Sequence, residues 1–98
     1  MKFWIVTPSY NHLDYLKLAI MSVADQTRSN IQVHHHIQDG NSSDGTYEYL
    51  KKYAENIKDS SKKNYTFSFE SKKDEGMYDA INRGWKLAPT DIDVIAHL

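Results

Sequence analysis

The hydrophobic and polar positions of the chain follow two alternating periods. Four short runs, at residues 3–7, 31–37, 65–69 and 92–98, are rich in the β-branched and aromatic residues typical of strands. The run at 3–7 is continuously apolar, as in a strand covered on both faces, whereas 31–37 and 65–69 alternate apolar and polar residues. The sequence therefore predicts four strands.

Three segments between these runs have the apolar spacing of a helix that buries one face. Their stripes are Leu13, Leu16, Ile20 and Val23 in the first, Tyr47, Leu50, Ala54 and Ile57 in the second, and Tyr78, Ile81, Trp85 and Ala88 in the third. Pro8 and Asn11 break the pattern before the first helix, which should end near Gln26, and Pro89 stops the third. The third stripe, with Met77 beside it, is expected in the core.

Strands and helices therefore alternate as β-α-β-α-β-α-β. Such alternation predicts an α/β fold of three α/β/α layers, with right-handed crossovers and a mainly parallel sheet in the order 3-2-1-4. A length of 98 residues allows one domain. Everything is expected to belong to a single unit.

Composition removes several classes of function. The net charge is -1, which provides no long-range field to attract nucleic acid. Cysteine is absent, so disulfides, zinc-thiolate sites and a thiol nucleophile are excluded. No apolar run approaches the ~20 residues of a membrane helix. We expect a cytoplasmic protein.

Candidate chemistry is concentrated where the strands end. Asp39 closes the second strand ahead of a glycine-rich turn, and in parallel α/β sheets ligands bind at the carboxyl ends of the strands. The turn at 42–45 is equally explained as a helix cap, and Asp44 is assigned mainly to capping. After the first strand, residues 7–11 could grip a polar ligand or form only a proline turn with an Asn11 cap. After the third, Lys72 and Lys73 could meet a phosphate or be merely solvated.

Three consecutive histidines lie in the middle of the second strand. In a strand, His34 and His36 face one side and His35 the other, so at most two could share an ion. They lie away from the carboxyl end. We interpret them as strand residues and predict no metal site within the chain.

Three motifs, TPSYN after the first strand, QDGNSSDGT after the second and DEGMYDAINRGWKLA at the third helix, resemble the amino-terminal half of family 2 glycosyltransferases with the GT-A fold. The resemblance covers nearly the whole chain. It implies a nucleotide-diphosphate-sugar donor, most simply UDP-linked, and an inverting transfer to a glycan or lipid-linked acceptor in polysaccharide biosynthesis. It also implies association with the inner face of the membrane as an alternative location.

The resemblance also implies roles for individual residues. Thr7, Pro8 and Tyr10 would line the nucleoside pocket, Asp39 would accept a hydrogen bond from a base N–H, and Asp74 would lie beside the nucleotide. The remaining candidates for the wall of the site are Ser9, Asn11, Gly40, Asp79 and Asn82. The last two could equally be exposed or be structural partners of nearby loops.

One departure from the family concerns the metal. The family has an acidic motif just after its fourth strand, which binds Mg²⁺ or Mn²⁺ against the donor diphosphate, and here these ligands would lie beyond Leu98. The acidic residues at 91 and 93 precede the fourth strand, at the opposite edge. We therefore expect a truncated GT-A domain that binds nucleotide but does not transfer sugar alone. An exposed fourth strand would favour self-association.

Two other classes of function remain open. A non-catalytic nucleotide-binding or partner module with the same half-fold is the main alternative. A phosphoacceptor signalling domain would need an acidic pair after the first strand, where residues 7–9 are Thr-Pro-Ser. A dinucleotide-binding half is weaker still, because no G-x-G-x-x-G follows a strand.

Overall fold

The predicted order of elements is confirmed by the computed structural model, which describes residues 1–25, 31–58 and 64–97. The elements are β1 (Lys2–Ser9), α1 (Leu13–Asp25), β2 (Gln32–Asp39), α2 (Thr46–Lys58), β3 (Tyr65–Ser71), α3 (Met77–Lys86) and β4 (Val94–His97). Gln26, the expected end of the first helix, and Leu98 lie outside the described residues. Within those residues, no helix has the length and apolar character needed to cross a bilayer.

All strand pairs are parallel, and the sheet has the predicted order β3-β2-β1-β4. Ser9 pairs with Asp39, and Asp39 pairs with Ser71. The last residues of β1, β2 and β3 are therefore level with one another. The loops that follow these three strands leave the sheet at one edge.

Contrary to the prediction, Pro8 does not break β1, which continues to Ser9. Odd-numbered residues of β1 hydrogen-bond to β2, as the 2.8 Å bond from Gly40 N to Ser9 O shows. The backbone N–H and C=O groups of even-numbered residues point toward β4, and the last β1–β4 pair is Val6 with His97. Pro8 lies beyond that pair, so among the described residues its missing N–H removes no bond of the ladder.

The two faces of the sheet are covered differently. On one face α1 and α2 form the main core, in which Leu16, Ile20, Ile37 and Leu50 are buried and Phe67 and Phe69 pack against them. On the other face α3 lies across β1 and β2, with Trp4 Nε1 donating to Gly84 O at 3.0 Å. This gives the predicted three layers.

The buried face of α3 differs from the predicted stripe. Ala80, Ile81 and Gly84 are buried, whereas Met77 and Tyr78 are 57% and 78% exposed. Placing Met77 and Tyr78 in the core was therefore wrong. Ile81 of the predicted stripe is buried together with the small residues Ala80 and Gly84, and Gly84 lets α3 pack very close to the sheet. The first turn of α3 lies beside an open cleft.

Candidate functional site

A cleft of about 490 Å³ opens where the loops after β1, β2 and β3 meet the first turns of α3. Its lining residues are Pro8, Ser9, Tyr10, His12, Gly40, Lys73, Asp74, Gly76, Met77 and Ala80. Pro8, Ser9, Tyr10, Gly40 and Asp74 are among the site residues expected from the sequence. The volume lies within the ~300–1,000 Å³ range typical of small-molecule sites.

At Gly40 the loops after β1 and β3 approach the end of β2 closely. A methyl carbon at Gly40 would lie 3.1 Å from Asp74 Oδ2 and 3.3 Å from Tyr10 Cδ1. Both distances are shorter than ordinary van der Waals contact. The absence of a side chain at Gly40 therefore lets the β1 loop and the β3 loop close on the end of β2.

The cleft combines four kinds of interacting group. Tyr10 is 60% exposed and presents an aromatic ring. Lys73 provides a cation, and Asp74 provides a carboxylate whose Oδ1 accepts a hydrogen bond from Gly76 N at 3.0 Å. The amino end of α3 adds backbone N–H groups, which favour anions.

His12 and Met77 line the cleft although they were not singled out from the sequence. The backbone turns at Asn11, whose φ is +51°, and this turn carries His12 to the cleft just before α1 begins. Asparagine adopts a positive φ more readily than most residues, so an asparagine shortly before a helix is a sequence signal for such a turn. Met77 had been assigned to the core through the third stripe.

Asp39 is fully buried and its carboxylate already has three donors. Oδ1 accepts from Ser42 Oγ at 2.6 Å, and Oδ2 accepts from Ser42 N at 2.9 Å and from Ser71 Oγ at 2.8 Å. Asp39 shares a strand face with Ile37, which packs toward α1 and α2. Asp39 therefore joins the β2 loop to the end of β3 and does not line the cleft.

Thr7 is also separated from the cleft, at 5% exposure. Its Oγ1 lies 2.6 Å from His35 Nε2 on the face of the sheet that α1 and α2 cover. Burial lowers the pKa of His35 to about 3, with a smaller effect from His34 and His36. His35 is thus neutral at pH 7, and its contact with Thr7 holds β1 against β2.

The β1 and β2 loops are tied to each other by side chains. Asn11 N donates to Ser42 Oγ at 2.8 Å, and Asn11 Oδ1 accepts from Ser43 N at 2.8 Å.

Asp44 accepts hydrogen bonds from Leu13 N and from the backbone and hydroxyl of Thr46. The Thr46 hydroxyl is the main cause of a lowered Asp44 pKa. Asp44 thus has the capping role predicted for it, at the amino ends of both α1 and α2.

The two α3 candidates lie outside the cleft lining. Asp79 Oδ2 accepts from Glu75 N at 2.8 Å and from Arg83 Nε at 3.0 Å, and the bond from Glu75 is the main reason that its pKa is lowered. Asn82 is exposed. Asp79 therefore holds the β3 loop onto α3.

The described residues do not form a protein metal site of the kind implied by the family. Among residues 1–25, 31–58 and 64–97, no three His, Asp or Glu side chains are close enough to hold one ion. Asp74 is the one carboxylate among the residues that line the cleft.

Comparison with known families agrees with this architecture. The family model described as "Glycosyl transferase family 2" matches residues 4–98, which is nearly the whole chain. A search of the curated proteins found no match. The four-stranded parallel sheet in the order 3-2-1-4, with three helices, is consistent with a GT-A fold. The chain belongs to glycosyl transferase family 2.

Proposed function

We propose that the cleft binds the nucleotide of a nucleotide-diphosphate-sugar donor, with UDP as the nucleotide. The observation that carries this proposal is the convergence of the Tyr10 ring, the Gly40 backbone and the Asp74 carboxylate at one opening. An aromatic ring, a cation and a helix amino end in one cleft match the base and the diphosphate of such a ligand.

The base and the diphosphate of the donor each have a suitable partner. The exposed Tyr10 ring provides a surface on which a base stacks. Lys73 and the backbone N–H groups at the start of α3 favour the diphosphate. Met77 and Ala80 supply apolar contact along the cleft.

In this proposal Asp39 accepts a hydrogen bond from the uracil N–H. Its carboxylate is buried behind the cleft lining and is held by Ser42 and Ser71, so this role requires the β2 loop to open toward the cleft when the base arrives. Among the described residues, Oδ1 accepts only from Ser42 Oγ and has a lone pair left for the base N–H. A base that presents a lone pair there instead of an N–H would face the carboxylate oxygen without forming a hydrogen bond, and this disfavours it.

The finer features of the reaction are also proposals. We infer an inverting transfer to a hydroxyl of a glycan or lipid-linked acceptor in polysaccharide biosynthesis, supported by family membership and by the motifs. A carboxylate base would deprotonate that hydroxyl as it attacks the anomeric carbon. None of the described residues is assigned as this base.

Calorimetry on the 98-residue chain tests the proposal. UDP is expected to bind more tightly than uridine, because uridine lacks the diphosphate, and more tightly than ADP, because adenine differs at the base-reading position. Tyr10→Ala should weaken UDP binding by about 1 kcal/mol or more through lost stacking. Tyr15→Ala is the matched control, since Tyr15 is an exposed tyrosine on α1 outside the cleft lining. Equal affinity for UDP, ADP and uridine would refute the proposal.

A further inference from the structure

The Asp74 carboxylate lies between the Tyr10 ring and the amino end of α3. Its Oδ1 accepts a hydrogen bond at 3.0 Å from the N–H of Gly76, the residue directly before α3. Its Oδ2 would be 3.1 Å from a methyl carbon added to Gly40, and Tyr10 Cδ1 would be 3.3 Å from the same carbon. The carboxylate therefore has the aromatic ring on one side and the first N–H groups of the helix on the other.

The second oxygen of this carboxylate is available to a ligand. In the part of the chain that the structure describes, Asp74 Oδ2 receives no hydrogen bond, whereas the buried Asp39 carboxylate has three donors. Asp74 is half-buried and lines the cleft. A carboxylate is only an acceptor, so the complementary ligand group is a donor such as a hydroxyl.

We propose that Asp74 Oδ2 binds the 2′,3′-diol of the ribose, so that the cleft takes ribonucleotide donors in preference to deoxyribonucleotide donors. This inference rests on the proposed function, in which Tyr10 stacks on the base while Lys73 and the amino end of α3 bind the diphosphate. In a nucleoside diphosphate the ribose joins the base to the diphosphate. Asp74 occupies the corresponding place between their two partners.

The other parts of the nucleotide are poor partners for Asp74. The diphosphate is an anion at neutral pH and is repelled by a carboxylate. The uracil N–H is assigned to Asp39 in the proposed function. The ribose hydroxyls are the donors that remain, and hydrogen bonds to a charged acceptor are stronger than those between neutral groups. An acidic side chain binds the ribose 2′-hydroxyl in the same way in dinucleotide-binding folds.

The preference for ribose comes from the acceptor that would be left without a donor. When a nucleotide enters the cleft, Asp74 Oδ2 gives up water and gains a ribose hydroxyl in exchange. A 2′,3′-dideoxyribose displaces the water but offers no donor, so the carboxylate oxygen loses a hydrogen bond that is not replaced. We expect the affinity for UDP to exceed that for 2′,3′-dideoxy-UDP by about tenfold or more.

Calorimetry on the 98-residue chain with UDP, 2′-deoxy-UDP and 2′,3′-dideoxy-UDP tests this preference. The 2′-deoxy ligand shows which hydroxyl is bound. Asp74→Ala should reduce the ratio of the UDP and dideoxy-UDP affinities to about twofold or less. Asp74→Asn, which keeps an oxygen for Gly76 N, should reduce the ratio several-fold by removing the charge. Both affinities are measured in the same variant, so a general loss of binding does not change their ratio.

Glu75→Gln is the matched control, because it removes the same charge from the next residue, which is exposed and outside the cleft lining. It should leave the ratio unchanged. Equal affinity of the unsubstituted chain for UDP and dideoxy-UDP would overturn the ribose assignment and leave the proposed function intact, and this comparison needs no variant to fold. An undiminished ratio in both Asp74 variants would do the same. Failure of UDP to bind would overturn both proposals.

Discussion

A methyl carbon at Gly84 on α3 would lie 2.6 Å from Val6 Cγ1 on β1. It would also lie 2.8 Å from Val6 Cγ2 and 3.2 Å from His36 Cδ2. The close approach of α3 to the sheet therefore depends on a residue without a side chain. Because α3 also supplies Met77 and Ala80 to the cleft, and begins directly after Gly76, this contact sets the position of one wall of the site.

We predict that Gly84→Ala lowers the free energy of unfolding by roughly 1–3 kcal/mol, as overpacking in a core does. Alanine has the higher helix propensity, so a loss of stability would reflect the clash with Val6 and not the helix itself. Urea denaturation followed by circular dichroism measures this. Asn82→Ala, at an exposed position of the same helix, is the control and should change stability by less than about 0.5 kcal/mol. Equal stability of Gly84→Ala and the unsubstituted chain would show that α3 can move away freely.

Lys73 and Lys72 form a matched pair, since they are adjacent and only Lys73 lines the cleft. We predict that Lys73→Ala weakens UDP binding by several-fold and leaves uridine binding unchanged, because in the proposed complex the lysine contacts the diphosphate. Lys72→Ala should alter neither, as expected for a solvated lysine. Calorimetry at two salt concentrations should show a smaller salt dependence in Lys73→Ala. The same loss of UDP affinity in both variants would indicate only a general electrostatic attraction.

The sequence predicted the elements and the sheet order because each depends on local periodicity and on simple topology. Strand alternation also predicted that His34 and His36 share a face, which their common contact with Ser68 confirms. The placement of Tyr78 failed because helical period alone does not say which end of a stripe extends beyond the sheet. Here Ile81 is buried as predicted, and the close contact at Gly84 brings the small residues Ala80 and Gly84 into the buried face beside it.

The candidate site was predicted less completely. The loops that form the cleft were correctly located, since parallel strands end at one edge. Thr7 and Asp39 lie away from the cleft lining because their side chains point to the face that α1 and α2 cover. The sequence shows that both residues lie at strand ends, but it does not show which loop residues their side chains will contact. His12 was missed because its approach to the cleft depends on the positive φ of Asn11.

Asp39 and Ser71 allow the base-reading role of the carboxylate to be separated from a positioning role. If Asp39 reads the uracil N–H, Asp39→Ala should weaken UDP binding, while Ser71→Ala should leave it unchanged or strengthen it by freeing Oδ2. If Asp39 only positions the loops, both variants should weaken it. Asp39→Ala is also expected to lower stability by roughly 1–3 kcal/mol, because buried donors lose their acceptor. Binding is therefore measured at a temperature at which both variants are folded.

Gly40 provides a test of the convergence of the three loops. We predict that Gly40→Ala weakens UDP binding several-fold, because the new methyl group would push on Tyr10 and on the Asp74 carboxylate. Stability should change little, since the Asp74 carboxylate is the flexible end of a side chain and can shift. Ser43→Ala, at an exposed position in the same loop, is the control. Undiminished affinity in Gly40→Ala would show that ligand binding does not require the close approach at Gly40.

His35 should make stability depend on pH in a defined direction. Burial lowers its pKa in the folded state from 6.5 to about 3, so the unfolded chain binds the proton first as pH falls. The contribution of neutral His35 to the free energy of unfolding is complete above pH 6.5. It is lost between pH 6.5 and about 3, at about 1.4 kcal/mol per pH unit. Lowered pKa values make His34 and His36 act in the same direction. Urea denaturation between pH 7 and pH 4.5 should therefore show a steep loss, and His35→Gln should show a shallower one. His12→Gln, in an exposed loop, should keep the steep slope. An identical slope in His35→Gln would mean that His35 is not held neutral in the folded protein.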